Sequence, residues 1–190
     1  MTKEDLILKA RNTLMSTPKV LCTGNPNNIN YIANGIKQVF PNSTFIHKSN
    51  GFDFTNINES VEKKLQQLFS THNTFINASY INDNCQQKLL KICNKYMPIG
   101  NVFNIGSTHE YDNLGPKNYT KSKQTLRDLS LQLNTFRFQT CHIILGGIKK
   151  DNKETENWVS PLEVAELINW IIKQRYKIPI IGINQPKQPW

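Results

Sequence analysis

The sequence has little cysteine and no C-x-x-C pair. Cys22, Cys85, Cys93 and Cys141 stand singly, three of them in or beside apolar runs, which reads as reduced thiols of an intracellular protein and not as a disulfide frame. His47, His72, His109 and His142 show no ligand spacing with these cysteines, so the sequence offers no metal centre. No apolar run is long enough to span a bilayer. The opening Met1-Thr2-Lys3-Glu4-Asp5 carries acids and lacks the continuous apolar segment of a secretory leader, and the expected location is cytoplasmic. A P-loop is missing, and Gly106-Ser107-Thr108 is not the G-x-S-x-G elbow of a serine hydrolase. There is no internal repeat and no disordered linker.

What is present suits one enzyme-sized α/β domain. A chain of 190 residues with 38% hydrophobic residues holds one core and is too short for two ordinary catalytic domains. The 23 basic residues outnumber 14 acidic ones, for a net charge of +9, which favours anionic partners such as nucleotides or nucleic acids without choosing among them. The richness in Asn, Lys and Ile points to a biased codon pool as one source of that charge. Nucleic acid is the lesser expectation, because no known binding module or aromatic-basic stripe accompanies it.

Six short β-type runs recur: 19–23, 44–47, 74–77, 101–105, 141–145 and 178–183. Apolar stripes at helical spacing separate them: Ile29, Ala33, Ile36 and Phe40; Val61, Leu65 and Leu68; Leu89, Cys93 and Tyr96; Leu126, Leu129 and Leu133. Alternation of this kind predicts a doubly wound parallel sheet in a three-layer α/β/α sandwich. Ser160, Pro161 and Glu163 form a capping box that opens a last helix through Val164, Leu167, Ile168 and Ile171. Residues 1–18 read as an N-terminal helical extension with Leu6, Ala10 and Leu14 on one face, ahead of a domain over 19–190.

Ligands of open α/β sheets bind at the carboxyl ends of the strands. After the first run, Thr23-Gly24-Asn25-Pro26-Asn27-Asn28-Ile29-Asn30 offers a glycine turn before a helix N-terminus, suited to a diphosphate or simply to a tight turn. After the fourth, Gly106-Ser107 places a hydroxyl at the strand end. Tyr119 and Lys123 then lie one turn apart on one helix face. A tyrosine is too weak a base at neutral pH, and a neighbouring ammonium favours its phenolate.

Taken together, these motifs resemble the short-chain dehydrogenase/reductase family over nearly the whole chain after Pro18, as a compact and divergent member with a Rossmann-like sheet. Thr23-Gly24 resembles the opening of its TGxxxGxG turn, Phe52-Asp53-Phe54-Thr55 its aspartate motif beside the adenine, and Phe75-Ile76-Asn77-Ala78-Ser79 its NNAG strand end. Tyr119-Thr120-Lys121-Ser122-Lys123 is similar to the YxxSK signature, and Gly146-Gly147 stands where Pro-Gly is usual.

The resemblance implies a catalytic set of Tyr119 as acid/base, Lys123 as its electrostatic partner and ribose ligand, Ser107 as hydrogen-bond donor to the reacting oxygen, and Asn82 or Asn84 as the helix-borne asparagine. It implies a cofactor site including Thr23, Gly24, Asn27, Asn28, Ile29, Asp53, Asn77, Ala78, Tyr119, Lys123 and Gly147. Lys48, after the second strand, resembles the basic residue that receives a 2′-phosphate. No acid stands at that strand end, so NADP(H) is expected over NAD(H). The implied reaction interconverts a small-molecule alcohol and carbonyl.

Asn28 and Asn30 depart from the family by replacing its second and third glycines, and the segment between Asn77 and Ser107 is short. These departures leave a second expectation open, that of a nucleotide-sensing or scaffold protein without turnover. A homo-oligomer built on the Leu126, Leu129 and Leu133 stripe or on the N-terminal segment is a further expectation.

Overall fold

The computed structural model describes residues 16–112, 115–148, 159–174 and 177–183, together with Asp5, Leu8 and Asn12. The stripe of Leu6, Ala10 and Leu14 lies outside the described residues.

The six apolar runs form six strands: β1 Val20–Thr23, β2 Thr44–Ile46, β3 Thr74–Asn77, β4 Gly100–Ile105, β5 Phe138–Leu145 and β6 Ile180–Ile183. All pair in parallel, in the order β2-β1-β3-β4-β5-β6. Helices α1 Ile32–Val39, α2 Glu59–Thr71, α3 Cys85–Tyr96, α4 His109–Asp112, α5 Lys117–Leu133 and α6 Pro161–Ile172 connect the strands. The winding reverses between β1 and β3, where the carboxyl ends of a doubly wound sheet open a crevice.

Side-chain alternation along the strands divides the core into two layers. Val20 and Cys22, Ile76, and Phe103 and Ile105 face α1 and α6. Their neighbours Leu21, Phe75 and Val102 face α2, α3 and α5. All four cysteines are buried and free, which agrees with their place in the apolar runs. Of the stripe expected as an oligomer face, Leu126 is buried in the second layer, and Leu129 and Leu133 are partly buried against it.

Two local signals hold as read. Ser160 Oγ accepts from Glu163 N at 3.1 Å while the Glu163 carboxylate accepts from Ser160 N at 2.6 Å, so the capping box starts α6. Tyr119 and Lys123 both lie on α5. The first helix differs from the sequence reading, since it begins only at Ile32 and leaves Ile29 exposed in the preceding turn. Asparagine turns cause the delay: Asn25 Oδ1 accepts from Asn27 N at 3.0 Å and Asn28 Oδ1 from Asn30 N at 3.1 Å. Among the described residues no helix is long and apolar enough to cross a membrane.

Candidate active site

At the carboxyl ends of β1 and β3, Thr23 is the knot. Its hydroxyl accepts from Ala78 N and Ser79 N, both at 2.8 Å, and so fixes the exit of β3 beside the exit of β1. Gly24 follows with φ of 121°, and a Cβ there would stand 3.1 Å from Ala33 and 3.3 Å from the Ser79 hydroxyl. The positive φ is what favours glycine here, and the close neighbours add to it. A cavity of about 400 Å³ opens above it, lined by Gly24, Asn25, Asn30, Tyr31, Ile32 and Ala33 on one side and by His47, Lys48, Ala78 and Tyr80 among others. The N-cap Tyr31 makes no side-chain cap bond, and the start of α1 presents the positive end of the helix dipole at this wall. Backbone turn, helix N-terminus and neighbouring lysine form a set that fits a dinucleotide diphosphate.

The expected cofactor residues do not all reach this cavity. Thr23, Gly24, Lys48 and Ala78 line it. Asn27 and Asn28 instead shape the turn: Asn28 makes the bond to Asn30, and Asn27 Oδ1 accepts from Lys37 at 3.5 Å. Ile29 points to solvent. Asn77 is fully buried and donates to Gln86 O and Asn104 Oδ1, both at 2.9 Å. Gly147 spends its carbonyl on Val159 N at 3.1 Å.

Asp53 stands against Lys48. The 3-10 turn Lys48–Asn50 and Gly51, at φ of 90°, bring the chain back so that the Asp53 carboxylate lies 3.5 Å from the Lys48 ammonium. The acid missing at the strand end by sequence position is therefore supplied five residues later. Two bonds from Thr55 hold the Asp53 carboxyl below the usual carboxylate range, with the Lys48 charge adding to them. Both side chains are exposed enough for water to weaken the pair.

A second cavity, about 670 Å³, adjoins the first, with Tyr80 and Ile148 shared between them. Ser107 and Tyr119 both line it, with Asp83, His109, Pro116, Asn118 and Gly146. Tyr119 packs edge-on against Tyr80, ring centroids 4.8 Å apart, and the Lys123 ammonium sits 5.5 Å from the Tyr119 ring and 5.3 Å from the Tyr80 ring. Among the described residues nothing bonds the Tyr119 hydroxyl. The Tyr80 hydroxyl donates to Asp83 at 2.6 Å, and burial together with that carboxylate pushes its pKa up to about 12.

Lys123 is almost wholly enclosed and donates to Gln86 Oε1 at 2.6 Å and to Ile105 O at 2.7 Å. Burial pushes its ammonium down to about 8, against the opposing pull of Glu110 and then Cys85. The α3 side chain that touches Lys123 is thus Gln86. Asn82 stands exposed ahead of the helix, with its Oδ1 accepting from Asn84 N at 3.3 Å. Gln86 falls on the buried stripe with Leu89, Leu90 and Cys93, a polar residue on an apolar face and the signal that would have revealed it.

No family model matches the sequence, and no curated protein matches it. Solved structures do match. A serine dehydrogenase from Escherichia coli is similar at a TM-score of 0.64 and 15% identity, covering 90% of this chain and 99% of that one. A betaketoacyl-ACP reductase from Bacteroides thetaiotaomicron gives 0.66 and 15%, covering 90% and 98%. The 3-alpha-hydroxysteroid dehydrogenase of Pseudomonas sp. B-0831, complexed with NADH, gives 0.63 and 10%, covering 87% and 95%. The fold is that of the short-chain dehydrogenases/reductases. At these identities the likeness concerns the backbone, and the chemistry has to be argued from the side chains.

Proposed function

We propose that this chain is a divergent short-chain dehydrogenase/reductase that binds NADP(H) and interconverts a small-molecule alcohol and carbonyl. One observation carries the reading: Ser107 at the end of β4 and Tyr119 on α5 line a single cavity, with the Lys123 ammonium against the Tyr119 ring. The nicotinamide, when bound, supplies or accepts the hydride. The diphosphate belongs at the Gly24 turn and the α1 N-terminus. In the direction of reduction, Ser107 Oγ donates to the carbonyl oxygen and Tyr119 transfers its phenolic proton to that oxygen as the alcohol forms. In oxidation the proton returns to the phenolate, which Lys123 favours by its charge.

Preference for the 2′-phosphate rests on Lys48, which must exchange Asp53 for it. Lys48→Ala is expected to weaken NADPH binding roughly tenfold, one charge-assisted contact being lost, and to leave NADH nearly unchanged. Parallel calorimetric titrations check this, and an equal effect on both nucleotides would remove Lys48 from the phosphate site.

A second reading, a nucleotide-binding protein without turnover, is favoured by one feature. Lys123 already spends two of its three N–H groups on Gln86 and Ile105, which leaves one for a ribose.

A further inference from the structure

Beneath Ser107 lies a pair of ionisable side chains that the reaction as described does not use. Glu110 and His142 have fully buried side chains, and His142 Nε2 donates to Glu110 Oε1 at 2.8 Å. The same carboxylate oxygen accepts from the Ser107 backbone N–H at 2.8 Å. A buried carboxylate is costly unless it is paired and hydrogen-bonded, so two donors converging on one oxygen define where Glu110 sits. Gly106 makes the approach possible, since a Cβ at that position would collide with both the His142 ring and the Glu110 carboxylate. The backbone of Glu110 is tied as well: its carbonyl accepts from Gln124 Nε2 at 2.8 Å, on the helix that carries Tyr119 and Lys123. Gly106 N and Thr108 N continue onto β5 through Ile143 O and Leu145 O.

We propose that Glu110, held by His142, is the positioning residue of this site, locking Ser107 at the end of β4 against the helix bearing Tyr119 and Lys123. This rests on the oxidoreductase reading for its purpose and on the geometry for its existence. Glu110 also acts electrostatically. The groups facing Lys123 are Glu110 from α4, Cys85 from α3, and the Tyr80 and Tyr119 rings, and Glu110 is the one that most strongly opposes the loss of its proton. Arg127 on α5 lies 3.9 Å from the other Glu110 oxygen and shares its charge.

The test is Glu110→Gln, which keeps an acceptor of the same shape and removes the charge. In NMR spectra of the wild-type protein, the Ser107 amide proton is expected downfield, in close contact with the His142 Hε2 proton because both point at one oxygen. In the variant that amide moves upfield, and the Lys123 titration, followed at its side-chain carbon, falls by about one pH unit. Turnover drops on the order of a hundredfold, as for a misplaced reacting group, while nucleotide affinity holds. An unmoved Ser107 amide together with an unmoved Lys123 titration overturns the proposal. If the variant does not fold, the wild-type contact decides alone, and its absence overturns the proposal equally. Failure of the wild-type protein to bind NADPH contradicts the oxidoreductase reading and leaves the NMR result to judge the positioning.

Discussion

Tyr119→Phe is expected to lower turnover of a carbonyl substrate by roughly 10²–10⁴-fold, the range for loss of a positioned general acid/base. The substitution removes one oxygen and nothing else. The ring keeps its edge-on contact with Tyr80 and its place beside Lys123, so stability and nucleotide affinity are expected to change little. A carbonyl screen with NADPH consumption as readout supplies the substrate, after which kcat, KM and nucleotide affinity of the two proteins are compared. Loss confined to kcat supports proton transfer by the hydroxyl. Retained turnover would take Tyr119 out of the chemistry.

The second large effect concerns the wall of the cavity over Gly24. Gly35 lies on the buried face of α1, where a Cβ would run into the Pro161 backbone and stand 2.7 Å from Leu162 N. In an exposed helix, replacing glycine by alanine stabilises by about 1 kcal/mol. Here the sign reverses, because the obstacle is backbone in the first turn of α6 and not the yielding end of a side chain. Gly35→Ala is expected to cost roughly 2–4 kcal/mol, or about 5–15 °C in Tm for a chain of this size. Nucleotide affinity should fall with it, since Tyr31, Ile32 and Ala33 at the start of the same helix line the cavity. Thermal unfolding with and without nucleotide checks both parts, and a raised Tm would show that α1 and α6 do not meet at Gly35.

Much of the fold is legible in local pattern. The central runs form β1, β3, β4 and β5, four to eight residues long and buried almost throughout, as short apolar runs bounded by turn residues predict, whereas the edge strands β2 and β6 are only partly buried. The Ser160 box and the Tyr119, Lys123 pair depend on residues within one helical turn, and both sit on helices as read. Non-local pairings were hidden. Glu110 and His142 are 32 positions apart, and His142 lies within an apolar run where nothing marks it as an ion-pair partner. Gln86 reaches Lys123 across 37 positions. Lys48 and Asp53 come together only through the turn ending at Gly51. The asparagines of the first loop were legible as departures from glycine, but their work as turn-formers, which moves Ile29 into solvent, required the backbone.

The turn before α1 is built by Asn25 and Asn28 side chains, with Gly24 kept at the point where β1 meets Ala33 and Ser79. The residue beside Lys123 is a glutamine on α3, and the support under Ser107 is a carboxylate and an imidazole.

Everything proposed for this site depends on a nicotinamide dinucleotide binding in the cavity over Gly24, next to Ser107 and Tyr119. Calorimetric titration of the purified wild-type protein with NADPH tests it most directly. One site per chain with a Kd on the order of micromolar, about −8 kcal/mol, is expected. No measurable heat or stabilisation at millimolar NADPH and NADH would contradict it.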